Sequence, residues 1–308
     1  MILTVCMSPC TDVTMELDTF NLGRTNVVKS KKVTFGGKAL NVAIGVARLG
    51  EMAHVTGLMY NENGHLFENA LYQEKVGYTF SWNPGRAREN YKFIDGRAML
   101  TEVNDVSGEI SEEKAGEVLD LVRSLSINSD VTVLSGSLPK GLSADYYGRL
   151  AQAVHKDSLK IVDATGQRIF SALNAGVDLV KPNLEELENA LGGRTLEDRS
   201  DMLAGCYELL DRGAKRVLLS LGKRGAIITD GVENYFCRSL NVAMNSTVGA
   251  GDGLVAAAAI ALKNGCSTSE ILRAGVAAGT ATVMSVGNIS FTKEKYEEVF
   301  ANLEVEKI

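Results

Sequence analysis

A chain of 308 residues, 45% hydrophobic and 23% charged, is long enough to bury a large core in one or two domains. Its net charge of −6 argues against nucleic acid or an anionic membrane as a partner, because a basic surface would be needed to offset phosphate charge. The five cysteines, Cys6, Cys10, Cys206, Cys237 and Cys266, are scattered without a C-x-x-C, which argues against a disulfide framework or zinc knuckle and fits reduced thiols in the cytoplasm.

In chain order, "MILTVCMSP" has no basic stretch before its apolar residues and reads as a first strand over residues 2–7 rather than as a signal peptide. A helical period follows at Leu40, Ala43, Ile44 and Ala47. Short β-branched runs then recur at 54–58, 131–135, 160–162, 179–181 and 216–221, with helical segments between them. That alternation predicts an α/β protein with a mostly parallel sheet, and no internal repeat or Pro-rich linker divides it. The strand ends carry "SPCTD", "SGSLPKG", "DATG", "KPN" and "SLGKRG"; in such sheets ligands sit beyond the carboxyl ends of strands, so these loops should face one crevice. Residues 13–35 and roughly 88–104 break the pattern with strands and no helices, which predicts a small sheet acting as a lid or pairing with another subunit. The longest apolar run, Leu254 to Leu262, is far short of the roughly 20 residues that cross a bilayer.

"NSTVGAGDGL" at 245–254 carries the most chemistry. Gly249 and Gly251 let the backbone turn tightly and gather N–H groups at the start of a helix near Asp252, where the unpaired donors and the helix dipole favour an anion. A carboxylate there repels its ligand unless it has a task, and taking a proton from a hydroxyl that attacks a phosphoryl group is one. The other reading of Asp252 is an N-cap, worth roughly 1 kcal/mol to the helix. No G-x-x-x-x-G-K-[ST] and no protein-kinase signature set is present, so any phosphate cradle is of another kind.

"TVGAGD" at 247–252 with its small-residue helix, "GGKALNVA" at 36–43, "SGSLPKG", "KPNLEEL", "SLGKRGA" and "AAGTATVMSVG" together resemble the ribokinase-like carbohydrate kinases of the PfkB family over essentially the whole chain. "R-x-N-x-K" at 88–92 and "TEVN" at 101–104 resemble the phosphosugar kinase branch of that family. The resemblance implies one kinase domain over 1–308, a ribokinase-like three-layer α/β/α sandwich with a small β-sheet lid. It also implies ATP and Mg²⁺ as cofactors and a phosphosugar as substrate, with fructose 1-phosphate ahead of tagatose 6-phosphate. A different sugar, a nucleoside, or a non-catalytic sugar-phosphate sensor stands as the alternative.

Carried over residue by residue, Asp252 matches the catalytic base and Gly249, Ala250 and Gly251 its anion hole. Asn183 and Glu186 match an N-x-x-E motif that organises Mg²⁺ and its waters, or else they form a helix capping box. Ser220, Gly222 and Gly225, with Thr247, match the nucleotide side; a plain hairpin turn is the alternative for 220–225. Asp12, Gly36, Gly37, Asn41 and Ser137 match the sugar side, and Lys38 and Arg88 are the candidates for the sugar's phosphate unless they are solvated surface charges. Some members hold a monovalent cation such as K⁺ near the anion loop, where Ser246, Val248, Thr282, Ser285 and Gly287 occupy matching places. Four departures stand out: Ser8 replaces an asparagine before Pro9, Ala39 a glycine, Val27 an arginine of the lid, and Gly253 a serine after the aspartate. "KSKK" at 29–32 reads as edge protection, and exposed lid edges suggest a homodimer.

Overall fold

The computed structural model describes residues 1–97, 99–243, 248–285 and 289–308. The chain runs β1 (Ile2–Cys6), β2 (Cys10–Leu17), β3 (Val28–Gly36), α1 (Lys38–Arg48), β4 (Ala53–Tyr60), α2 (Gly64–Gln73), β5 (Gly77–Asn83), β6 (Arg88–Ile94) and β7 (Leu100–Asn104). It continues with α3 (Glu112–Ser126), β8 (Val131–Ser135), α4 (Tyr146–Ala153), β9 (Leu159–Asp163), α5 (Gln167–Leu173), β10 (Leu179–Val180), α6 (Leu184–Ala190), α7 (Arg199–Asp211) and β11 (Val217–Ser220). The last elements are β12 (Ala226–Thr229), β13 (Asn234–Cys237), α8 (Ala250–Lys263), α9 (Thr268–Val283), α10 (Lys293–Ala301) and β14 (Val305–Lys307).

A ten-stranded sheet runs in the order β14-β13-β12-β11-β10-β9-β8-β1-β4-β5, parallel from β11 to β5 and antiparallel at β12, β13 and β14. All five residues of β1 and of β8 are buried, which explains why they read in the sequence as near-continuous apolar runs: a parallel strand covered on both faces has no polar side to show. The chain leaves β1 toward β4 and β5 and later returns to β8 on β1's other side. That reversal of winding direction opens a crevice at the carboxyl ends of β1 and β8, the place where open α/β sheets bind ligands.

Helices cover both faces. On one, α8 lies between α1 and α9 and over β8 and β9; on the other, α3 packs on β1, β4 and β5 beside α4. The α8 sequence "AGDGLVAAAAIALK" is almost wholly buried, and its small residues let neighbouring helices approach closely. At Gly253 the fit is closest, since a Cβ there would lie 2.4 Å from the Thr282 hydroxyl of α9. The departure at Gly253 therefore has a packing reason: Thr282 occupies the volume that a larger side chain would need.

A second sheet of four strands, β3-β2-β6-β7, stands apart from the main layer and contains both excursions anticipated from the sequence. β2 pairs in parallel with β6, placing Cys10 opposite Arg88, Asp12 opposite Asn90 and Thr14 opposite Lys92. Its outer strands are exposed, and Lys29, Lys31 and Lys32 line the free edge at β3, where charge discourages strand addition. Among the described residues, no helix is long and apolar enough to cross a membrane.

Candidate active site

Three helix N-termini converge at the crevice. Gly249 caps α8 with φ 84°, a left-handed conformation open to glycine and strained for other residues. The helix thus starts at Ala250, and Asp252 is its third residue rather than its cap, which removes the capping alternative. The amides of Ala250, Gly251 and Asp252 belong to the first turn, where backbone donors lack intrahelical acceptors and the dipole is positive. The Asp252 side chain is buried, and Asn41 of α1 donates to its Oδ2 at 2.7 Å. Burial, with the negative charge of Asp163 adding to it, pushes the carboxyl up to about 6; Lys38, Asn41 and Lys181 oppose the rise. At neutral pH the group is still ionised, yet close enough to titration to accept a proton.

Lys38, the first residue of α1, approaches Asp163 Oδ1 at 3.2 Å and Glu186 Oε1 at 3.8 Å. The Asp163 charge, with burial opposing it, raises the Lys38 ammonium above its ordinary value. Asp163 is wholly buried; burial would raise its carboxyl, but Lys181 and Lys38 together outweigh that and hold it below the usual range. Lys38 is therefore tied to the carboxylates of Asp163 and Glu186 and acts electrostatically on Asp252, which moves it out of the sugar-phosphate role expected from the sequence. Asn183 and Glu186 form a complete capping box at the start of α6, with Asn183 accepting from the Glu186 amide at 2.7 Å and Glu186 accepting from the Asn183 amide at 2.8 Å. The capping reading is therefore present, and Glu186 Oε1 at the same time faces Lys38.

A cavity of about 1170 Å³ runs from this centre over α9. Ala250 and Gly251 line its end, Leu254, Val276 and Val283 part of its apolar wall, and residues 220–225 another side. The segment 220–225 is the turn between antiparallel β11 and β12, as the hairpin alternative has it, and it faces the cavity as well. Gly225 is irreplaceable there, because its φ is 106° and a Cβ would lie 1.9 Å from the Cys237 carbonyl oxygen. Ser220 donates its amide to the Pro182 carbonyl, tying this turn to the start of α6.

On the lid side, Asp12 is buried on β2; Lys92 Nζ lies 3.4 Å and Asn90 Nδ2 3.2 Å from its Oδ1. Gly36 pairs with Cys10, and Gly37 caps α1. Arg88 donates to the Asp105 carbonyl at 2.9 Å and to Asn90 Oδ1 at 3.3 Å, while its Nε and the buried Tyr60 hydroxyl have no hydrogen-bond partner among the described residues. Ser137 is half-buried in the loop after β8. Val27 is fully out in solvent beside Asn26, whose side chain instead ties the loop through Asn21 and Arg24.

Of the suggested cation residues, the Thr282 hydroxyl donates to the Ala278 carbonyl and that of Ser285 to the Ala281 carbonyl, so both satisfy their own helix. Val248 lies in the turn before Gly249. Ser246, Gly287 and the nucleotide-side Thr247 fall outside the described residues. Two charged residues had gone unremarked: Asp163, at the carboxyl end of β9, and Lys181, just past β10. Their signal was position, since "DATG" and "KPN" had been recognised as strand ends without a role for either charge.

Comparison with known proteins agrees with this geometry. A family model described as pfkB family carbohydrate kinase matches residues 5–295. The chain is similar to the tagatose-6-phosphate kinase of Staphylococcus epidermidis, 29% identical over 99% of both chains. It is 30% identical to the 1-phosphofructokinase of Borreliella burgdorferi over 94% of this chain and 93% of that one. Among solved structures, phosphofructokinase-2 from Escherichia coli in complex with potassium superimposes with a TM-score of 0.91 at 28% identity, covering 97% of this chain and 98% of that one. The same enzyme has been solved in a tetrameric inhibited form.

Proposed function

The chain belongs to the pfkB family of carbohydrate kinases, and on that premise we propose that it transfers the γ-phosphoryl group of ATP to a free hydroxyl of a ketohexose phosphate. Fructose 1-phosphate is the first acceptor in this reading, giving fructose 1,6-bisphosphate, and tagatose 6-phosphate the second. The observation that carries it is a buried carboxylate, Asp252, held by Asn41 beside a helix N-terminus that ends a nucleotide-sized cavity.

In the transfer, the acceptor hydroxyl gives its proton to Asp252 as its oxygen forms a bond to the γ-phosphorus. The bond to the bridging oxygen breaks, and the electron pair leaves with ADP. Backbone amides of Ala250 and Gly251 and the ammonium of Lys38 receive the charge that develops on the phosphoryl oxygens, and because they are already oriented they cost little reorganisation. Gly222 and Gly225 let the turn approach the nucleotide closely. Asp12, Asn41, Gly36, Gly37 and Ser137 orient the sugar; Arg88, with its unpartnered Nε, takes the existing phosphate.

Among the described residues, no three His, Cys, Asp or Glu groups cluster as a metal cage. Asp163 and Glu186 nevertheless offer hard oxygens, a donor set that suits Mg²⁺ carried with its waters and the nucleotide's phosphates. When bound, the ion offsets phosphate charge. Exposed Val28, Val33 and Val103 on the outer lid strands belong to the face we assign to a homodimer. ATP as donor and five free cysteines fit a cytoplasmic setting.

A coupled ATP-consumption assay across sugars and sugar phosphates tests the substrate assignment. The expected outcome is a highest kcat/KM with a ketohexose phosphate; turnover with unphosphorylated sugars or nucleosides alone would overturn it.

A further inference from the structure

Between β7 and α3 the chain returns from the lid to the main layer along a strap, residues 105–110, that passes Arg88. The strap is exposed at Asp105, Val106, Gly108 and Glu109, yet Ser107 in its middle is buried. The Ser107 hydroxyl is hydrogen-bonded at 2.5 Å to that of Ser8, which is itself buried in the loop that leaves β1. The Ser8 carbonyl in turn backs onto Gly37 at the cap of α1, where an added Cβ would meet it at 3.2 Å. At the far end of the strap, Ile110 donates its amide to the Lys140 carbonyl at 3.2 Å, in the loop after β8. Two residues before Ser107, the Asp105 carbonyl accepts from Arg88 at 2.9 Å. Arg88 is thus aimed from two sides, by Asn90 of its own strand and by a strap that a hydroxyl pair moors to the main layer. An exposed segment opens locally at low free-energy cost unless a buried contact holds it. Here that contact is hard to break, because losing one hydroxyl leaves the other buried and unsatisfied.

We propose that Ser107, with Ser8 as its partner, is a positioning residue for acceptor recognition: the hydroxyl pair fixes the strap, the strap fixes the Asp105 carbonyl, and that carbonyl orients the guanidinium that takes the acceptor's phosphate. This deepens the function proposed above and rests on its assignment of the phosphate to Arg88. Both serines act through Arg88 and not on the reacting atoms. Their loss therefore weakens the hold on a phosphosugar without slowing the transfer itself.

The test compares Ser107→Ala, Ser8→Ala and Arg88→Met, alone and in pairs, in steady-state kinetics with fructose 1-phosphate, tagatose 6-phosphate and the two parent sugars. Amide hydrogen exchange over residues 105–110 is measured on the same proteins. Either serine variant should raise KM for the phosphosugar that is turned over about 5- to 10-fold, hold kcat within about twofold, leave KM for the parent sugar unchanged and speed exchange of the strap amides. Adding Ser107→Ala to Ser8→Ala, or to Arg88→Met, should change little more, because each pair belongs to one chain of contacts. Equal effects on phosphosugar and parent, or additivity with Arg88→Met, would overturn the proposal. So would faster strap exchange with an unmoved phosphosugar KM, which would make the hydroxyl pair a structural contact only. If Arg88→Met raises the phosphosugar KM and both serine variants leave it alone, this proposal falls by itself; if Arg88→Met also leaves it alone, the phosphate assignment falls as well.

Discussion

Around Asp252 the charged groups already engage one another, whereas on and beside the lid three buried polar atoms, Thr11 Oγ1, Tyr60 Oη and Arg88 Nε, have no hydrogen-bond partner among the described residues. Asn41 holds Asp252, Asp163 holds both Lys38 and Lys181, and Glu186 closes a capping box while facing Lys38. The outer lid strands β3 and β7 lie in solvent. The first region is organised before any ligand arrives, so its chemistry can serve different acceptors at little cost in reorganisation. In the function proposed above, the second completes its hydrogen bonding with the acceptor, and there one sugar phosphate would be told from another.

That contrast can be broken at either end. Gly249→Val forces a β-branched residue into the left-handed region at the cap of α8 and should misplace the amides of 250–252. A kcat lower by roughly 100-fold or more, with KM for the sugar nearly unchanged, is the expected steady-state result. Arg88→Met acts on the other region, raising KM for a phosphosugar roughly 10- to 100-fold while changing that of the unphosphorylated parent little. Equal effects on both sugars would place the phosphate elsewhere.

A smaller effect comes from the stability cost of the organised region. The folded Asp252 carboxyl, at about 6, lies above its ordinary value of 3.8. Its contribution to stability is therefore full below the unfolded value and is lost as pH rises through the folded one. Asp252→Asn, which can still accept from Asn41, should melt higher than the unmodified protein at pH 7.5, and the two melting temperatures should converge near pH 4. Scanning calorimetry at both pH values checks the sign.

The two regions also differed in how far the sequence revealed them. β1 and β8 were found nearly residue for residue because strands buried on both faces leave uninterrupted apolar runs. The lid excursions were recognised by strands that no helix separates. β5, β12, β13 and β14 were not anticipated: "GYTFSWN" mixes polar and apolar residues, and the other three are four residues or shorter. Asp252 and its glycines stood out because their chemistry is local. Asp163 and Lys181 did not, because their roles arise from strand ends that meet only when β9 and β10 pair. The cap reading of Asp252 was removed only by the structure, which puts Gly249 at the cap in a left-handed conformation that its residue type permits without requiring.

The central claim is that Asp252 takes the proton of the acceptor hydroxyl at an anion loop formed by its own helix. Single-turnover transfer from labelled ATP to the best acceptor, measured alongside ATP binding in Asp252→Asn, tests it most directly. The account predicts near-normal ATP affinity with transfer slowed by roughly 10²- to 10⁴-fold. Transfer at the unmodified rate, with ATP bound equally well, would contradict it.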